Sequence, residues 1–198
     1  MKATATAVVL IEFQNEFCNP DGKLFGVVKD ELQRQNTITN AVKLATEARK
    51  KGCLVVHVPF VFDEKWVEQK CVAGLIADAG KAGAFKPGSW GGQFIPELQP
   101  QPGDLVLQNK RALSSFSHTE LEKTLAERGI RHIACAGFLS NVCVEATARS
   151  AYDQGFGVTV VRNATAAGSK STQDYVEKEV YPILGGSMSV DEFIAALT

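Results

Sequence analysis

Five short runs of the chain, at 7–11, 54–58, 105–107, 133–136 and 158–161, are apolar apart from His57 and Thr159 and rich in β-branched residues. Continuous apolarity in place of alternation marks strands covered on both faces. Between these runs the period lengthens. Residues 36–51 place Ile38, Val42 and Ala45 on one stripe and close on Lys50, Lys51 and Gly52, a basic last turn with a glycine stop. Ser117 and Glu120 stand as a capping box ahead of Leu121 and Leu125, and Gly129 ends that helix. Residues 141–154 read as an Ala-rich helix stopped by Gly155; Ser189 and Glu192 cap a short last helix containing Phe193, Ile194 and Leu197. The stretch 63–103, with seven Gly and four Pro, predicts one short helix near 67–77 and otherwise a long excursion over the surface. Loops of that length in a compact domain are often functional. Parallel strands need crossovers, so strands alternating with helices predict an α/β fold: a mainly parallel sheet with helices on both faces, in one domain over 1–198.

Size and charge narrow the classes. With 198 residues, 45% hydrophobic and 22% charged, the chain is long enough to bury about 70% of its unfolded surface without disulfide staples. Lys and Arg number 21 against 22 Asp and Glu. With no basic excess to hold a phosphate backbone, nucleic acid is not an expected partner. The first apolar run ends at Glu12, too short for a signal-peptide core or a membrane span, which predicts a cytoplasmic protein without a membrane partner. Five Cys, an odd number with no CxxC spacing, speak against a disulfide framework or a structural zinc site.

The candidate chemistry is positional. Glu12 follows the first apolar run, His57 ends the second, Lys110 lies just past the third, Cys143 follows the fourth by a short turn and Asn163 ends the fifth. All five fall at the carboxyl ends of predicted parallel strands, the edge where open α/β sheets bind ligands. Cys143 follows a glycine turn in GFLSNVCVEATAR, with Ser140 and Asn141 as candidate N-caps. A helix N-terminus and a nearby Lys110 ammonium both favour a thiolate there, which makes Cys143 the most reactive thiol expected. Cys53 and Cys135 flank or lie within strands and read as inert; Cys18 and Cys71 are loop thiols without an activator. A thiol nucleophile needs a group to take its proton and return it to a leaving amine, and Glu12 is the available carboxylate. Serine chemistry lacks a G-x-S-x-G elbow. Only His57, His118 and His132 exist, and no Asp or His stands two residues from His57, so no metal site is expected.

The segments IEFQNEF, NKRALSSFSHTEL and GFLSNVCVEATARSAYDQGF resemble, in order and spacing, the three signatures of the isochorismatase-like cysteine hydrolases, the superfamily of nicotinamidase, N-carbamoylsarcosine amidohydrolase and ureidoacrylate amidohydrolase. The resemblance implies a three-layer α/β/α sandwich, Rossmann-like, with a six-stranded mainly parallel sheet, and a homodimer or homotetramer. It implies Cys143 as nucleophile, Lys110 as the cation beside it, and Glu12 in the place of the family's Asp. The oxyanion hole it implies is the N–H groups of Leu139 and Cys143, with a non-proline cis peptide between Phe138 and Leu139. Phe17 matches a pocket aromatic of the family. Two departures stand out: Glu12 is one methylene longer than Asp, and Asn163 stands where the family often has Asp. Val55 occupies the place of an Asp in the nicotinamidase metal triad, which disfavours that activity and implies no cofactor.

The resulting expectation is a metal-independent hydrolase that cleaves a C–N bond of a small carboxamide or ureido compound through a thioester. Alternatives are an isochorismatase-type vinyl ether hydrolase, which the presence of Cys143 disfavours, and a degenerate homologue that binds a small ligand or senses redox state. Phe17, Trp90, Phe116 and Phe138 are the expected apolar wall of the substrate site, and Arg111 is a candidate clamp for a substrate carboxylate.

Overall fold

The computed structural model describes residues 1–70 and 72–198, so Cys71 lies outside the described residues. Strands β1 (Thr6–Ile11), β2 (Leu54–Val58), β3 (Leu105–Val106), β4 (His132–Phe138), β5 (Gly157–Ala166) and β6 (Ser187–Met188) form one sheet in the order β3-β2-β1-β4-β5-β6. Every pairing is parallel. In chain order the helices are α1 (Asn15–Cys18), α2 (Phe25–Arg34), α3 (Thr37–Lys50), α4 (Glu64–Gln69), α5 (Leu75–Lys81), α6 (Leu121–Glu127), α7 (Glu145–Asp153), α8 (Lys170–Tyr175) and α9 (Val190–Ala196). None of the described helices is long and apolar enough to cross a membrane.

The apolar runs are explained by burial on both sides. All six residues of β1 are buried. Val8 and Leu10 pack into one core with Leu44, Ala45 and Phe193 of α3 and α9. Ala7, Val9 and Ile11 pack into a second with Leu121, Leu125, Ala148 and Ala151 of α6 and α7. Helices therefore cover both faces, in the expected three-layer α/β/α arrangement. The strand order reverses between β1 and β4, and their carboxyl ends bound the crevice where such sheets place ligands. Gly137 makes that edge possible: at φ +129 it passes so close to β1 that a Cβ would lie 1.9 Å from the Ile11 carbonyl oxygen.

Several local expectations are corrected. Strand β5 continues through Asn163 to Ala166, and its register against β4 shifts between Cys135 and Gly137. Asn163 thus lies inside a strand, where its Oδ1 accepts from Val190 N at 2.9 Å and anchors the start of α9. The box at Ser189 and Glu192 is formed. The one at Ser117 and Glu120 is not: α6 begins without a side-chain cap at Glu120, and Leu121 N donates to Thr119 Oγ1 instead. Strand β6 is two residues long and left no apolar run to read. The excursion over 63–103 carries two helices, α4 and α5, and is sewn back onto the segment after β1: Asn15 N and Glu16 N donate to Gln93 O and Gly91 O, and Ile95 N donates to Phe13 O.

His57 is the clearest displacement. It precedes the last residue of β2, so its ring faces away from the strand's open end, fully buried, with Nε2 2.8 Å from Asp104 Oδ2. Arg49 closes this cluster through Nε and a second nitrogen on the same carboxylate. Burial pulls the ring's pKa below its ordinary 6.5, although the bond to Asp104 and that residue's charge act the other way. The neutral ring is then favoured in the folded state. Below pH 6.5 the unfolded chain takes up a proton that the folded chain refuses, so this contribution to stability is complete above 6.5 and is lost progressively as pH falls from that value through the lower pKa of the folded ring. The expected result is a urea midpoint that drops from pH 7 to 5.5 less steeply in His57→Gln, which keeps a donor to Asp104 without a titrating ring. Equal slopes would assign the drop to other groups.

Candidate active site

Three loops at the carboxyl ends of β1, β3 and β4 bring Glu12, Lys110 and Cys143 together. Glu12 is the first residue past β1 and has φ +62, an unusual backbone for a long side chain. Its N–H donates to Val58 O at 2.9 Å and its carbonyl accepts from Gln14 N at 2.7 Å, a sharp turn that leaves the carboxylate buried at the sheet edge. Gln14 fixes the surroundings: its Nε2 donates to Phe60 O and Gly92 O, and its Oε1 accepts from Phe60 N, tying three loops together.

Lys110 is completely buried. Its Nζ donates to Glu12 Oε1 at 2.5 Å and to Ala112 O at 2.9 Å, and lies 5.0 Å from the centre of the Phe60 ring. Burial alone would lower the ammonium's pKa, but the Glu12 charge opposes it, helped by Cys143, and the net direction is up. The pair is an ammonium and a carboxylate locked out of water.

Cys143 sits in a wide π-type turn, Ser140–Val144, between β4 and α7. Val142 N and Val144 N both donate to Leu139 O, and the peptide from Phe138 to Leu139 is cis. The turn is held from behind by residues the sequence did not single out. Ser140 Oγ donates to Gln173 Oε1 at 2.7 Å, and Tyr181 Oη donates to Ser140 O at 3.0 Å. Ser140 is therefore no helix cap, and α7 proper begins at Glu145.

The expected thiolate is corrected. Burial raises the pKa of Cys143 most, and the Glu12 carboxylate raises it further; Lys110 and the Leu139 N–H oppose them without prevailing. The net direction at Cys143 is toward the thiol. Cys53 and Cys135 are also pushed up, to about 11 and about 12, by burial. What distinguishes Cys143 is its place on a cleft with Glu12.

That cleft holds about 470 Å³ of empty space including its mouth. Phe17 lines it, as do Phe60 and Phe85, which the sequence did not mark. Phe138 does not reach it: the ring is fully buried behind Phe17, stacked on it at 5.4 Å and edge-on to Phe13 at 5.1 Å. Phe116 packs instead in the core on the other face of the sheet, near Phe156. Trp90 stands half exposed outside the cleft, its carbonyl accepting from Asn15 Nδ2. Arg111 is bound to Asp63 at 2.8 Å, the residue that caps α4, and does not line the cleft. Among the described residues no group of three His, Cys, Asp or Glu is placed to hold a metal ion.

The isochorismatase domain matches residues 6–192. The chain is 30% identical over 207 residues to ureidoacrylate amidohydrolase RutB of Variovorax paradoxus, covering 98% of this chain and 82% of that protein. Among solved structures, N-carbamoylsarcosine amidase from Thermoplasma acidophilum superposes with a TM-score of 0.74 at 27% identity, over 97% of this chain and 98% of that one. A cysteine hydrolase from Pseudomonas syringae pv. phaseolicola shares the fold with a TM-score of 0.83 at 20% identity, over 98% of this chain and 93% of that one.

Proposed function

The chain belongs to the isochorismatase family, and on that premise we propose that it hydrolyses a C–N bond of a small carboxamide or ureido compound through a thioester on Cys143. The observation that carries this reading is the placement on one cleft of a buried thiol and a carboxylate that is itself held by a buried ammonium. The amidohydrolase activities named for the relatives in Variovorax and Thermoplasma point the same way.

The chemistry uses groups of the chain alone. Sγ of Cys143 attacks the carbonyl carbon while its proton passes to Glu12. The tetrahedral oxyanion is received by the N–H groups of Leu139 and Cys143. The C–N bond then breaks, Glu12 gives its proton to the departing nitrogen, and ammonia or an amine leaves. Water, deprotonated by Glu12, attacks the thioester; the C–S bond breaks, the thiolate recovers the proton, and a carboxylic acid or carbamate is released. Lys110 stays charged throughout. Its place is to hold Glu12 in position and to set a positive charge beside the carboxylate. A vinyl ether is cleaved by protonation and gives a nucleophilic thiol nothing to do, so Cys143 favours the C–N reading.

The test is intact-protein mass spectrometry after rapid acid quench with a panel of amides and ureido compounds. The expected adduct weighs the substrate less ammonia or amine and maps to Cys143. Turnover with no adduct, unchanged by alkylation of Cys143, would refute the covalent route.

A further inference from the structure

The walls of the cleft deepen that reading. Among the described residues, Glu12 and Cys143 are the only polar side chains lining the cleft, and no Lys, Arg or His lines it. Phe17, Leu24, Phe60, Ile76 and Phe85 form its interior, drawn from α1, the residue before α2, α5 and the loops beside them. The rim is apolar too: Val27, Leu75 and Leu113 line the mouth while 45%, 47% and 37% exposed. Of the cations nearby, Lys86 lines a separate surface pocket and not this cleft, and three others are committed. Lys110 is taken by Glu12 and Ala112 O, Lys23 Nζ donates to Gly83 O, and Arg111 is paired with Asp63. Glu16, the other buried carboxylate after β1, accepts from the N–H groups of Lys23 and Phe85 and shapes the loops.

We infer that the body of the substrate, the part that does not react, is uncharged and apolar. This rests on the amidohydrolase reading of the same site. A carboxylate carried into this cleft would leave water, meet no cation and no side-chain donor on the walls beyond the weak one of the Cys143 thiol, and face the negative charge of Glu12. An aliphatic or aromatic body instead exchanges water for the same phenyl and branched surfaces that line the cavity, and the exposed apolar rim extends that surface outward. An anion such as the ureidoacrylate of the relative's name is thereby disfavoured here.

An isosteric pair tests this. In 5-methylhexanamide the terminal isopropyl group has the shape of the carboxylate in glutaramate, and the reacting carboxamides are identical. The expected result is a kcat/KM for ammonia release at least about a hundredfold higher for the neutral amide. Calorimetry on Cys143→Ala, which removes the nucleophile and keeps the walls, is expected to show binding of the neutral amide alone. Equal or better use of glutaramate overturns the inference and leaves the amidase reading standing. If neither compound releases ammonia but Cys143→Ala still prefers the neutral amide, the amidase reading falls and the apolar site stands. Preference of that variant for glutaramate, or binding of neither compound, overturns the inference.

Discussion

Cys143→Ala is expected to lower amide turnover by a factor on the order of 10⁴ or more while the protein stays folded. The loss follows from chemistry: without a nucleophile, water would have to attack an unactivated amide directly, and only the oxyanion donors and the binding surface would remain. The fold survives because the substitution removes one sulfur atom from a site that opens on a cleft, a small void at about 1 kcal/mol. Cys143→Ser is the more telling variant. Its hydroxyl keeps the place of the thiol, but it is a poor nucleophile without a histidine base, and the strand-end candidate, His57, is bonded to Asp104 inside the structure. Turnover should fall at least about a thousandfold here too. Ammonia release by Cys143→Ser at a rate near that of the unsubstituted protein would mean that Glu12 activates water, and that the side chain at 143 serves only to shape the site.

The residues that meet at the sheet edge were legible in the sequence because topology places them. A parallel strand covered on both faces announces itself as an apolar run, and the residue just past its carboxyl end is delivered to one edge whatever the side chains elsewhere do. Glu12, Lys110 and Cys143 come together in this way. His57 and Asn163 failed the same reading for reasons of register. Side chains alternate across a strand, so His57, one position short of the end of β2, turns into the packing against Asp104. Asn163 fell short because β5 runs five residues beyond the apolar stretch that revealed it, ending at Ala166 instead of 161.

The walls of the cleft were far less legible. Leu24, Ile76 and Phe85 stand on helices and loops whose place depends on contacts across the chain, such as the Gln14 amide joining Phe60 and Gly92. No local periodicity encodes a hydrogen bond between residues 14 and 92. For the same reason Trp90 and Phe116, aromatic and adjacent in sequence to site segments, were drawn outside the cleft. The charge state of Cys143 also depended on the third dimension. A helix N-terminus and a lysine argue for a thiolate, yet burial together with the nearby Glu12 carboxylate outweighs them.

Glu12→Gln is expected to reduce turnover by about a thousandfold, since no other group takes the thiol proton or returns it to the leaving nitrogen. It also removes the counter-charge of a fully buried ammonium at 2.5 Å, and breaking a buried pair from one side costs on the order of 3 kcal/mol. For a chain of this size that corresponds to a fall of roughly 6 to 12 °C in Tm. Inactivity alone could therefore be blamed on instability. Glu12→Gln with Lys110→Met resolves this: removing both charges should restore most of the lost Tm without restoring turnover. Recovery of turnover in the double variant would show that Glu12 acts only as the partner of Lys110. Glu12→Asp tests the length of the arm. Asp suits a φ of +62 better than Glu does, so the backbone gains. The carboxylate, however, withdraws by about one C–C bond from Lys110 and Cys143, and a misplacement of that size can cost roughly a hundredfold in rate. The expected variant folds, with kcat lowered and KM little changed, because the apolar walls that bind the substrate are untouched. A gain in kcat would mean that the pocket still fits the shorter acid.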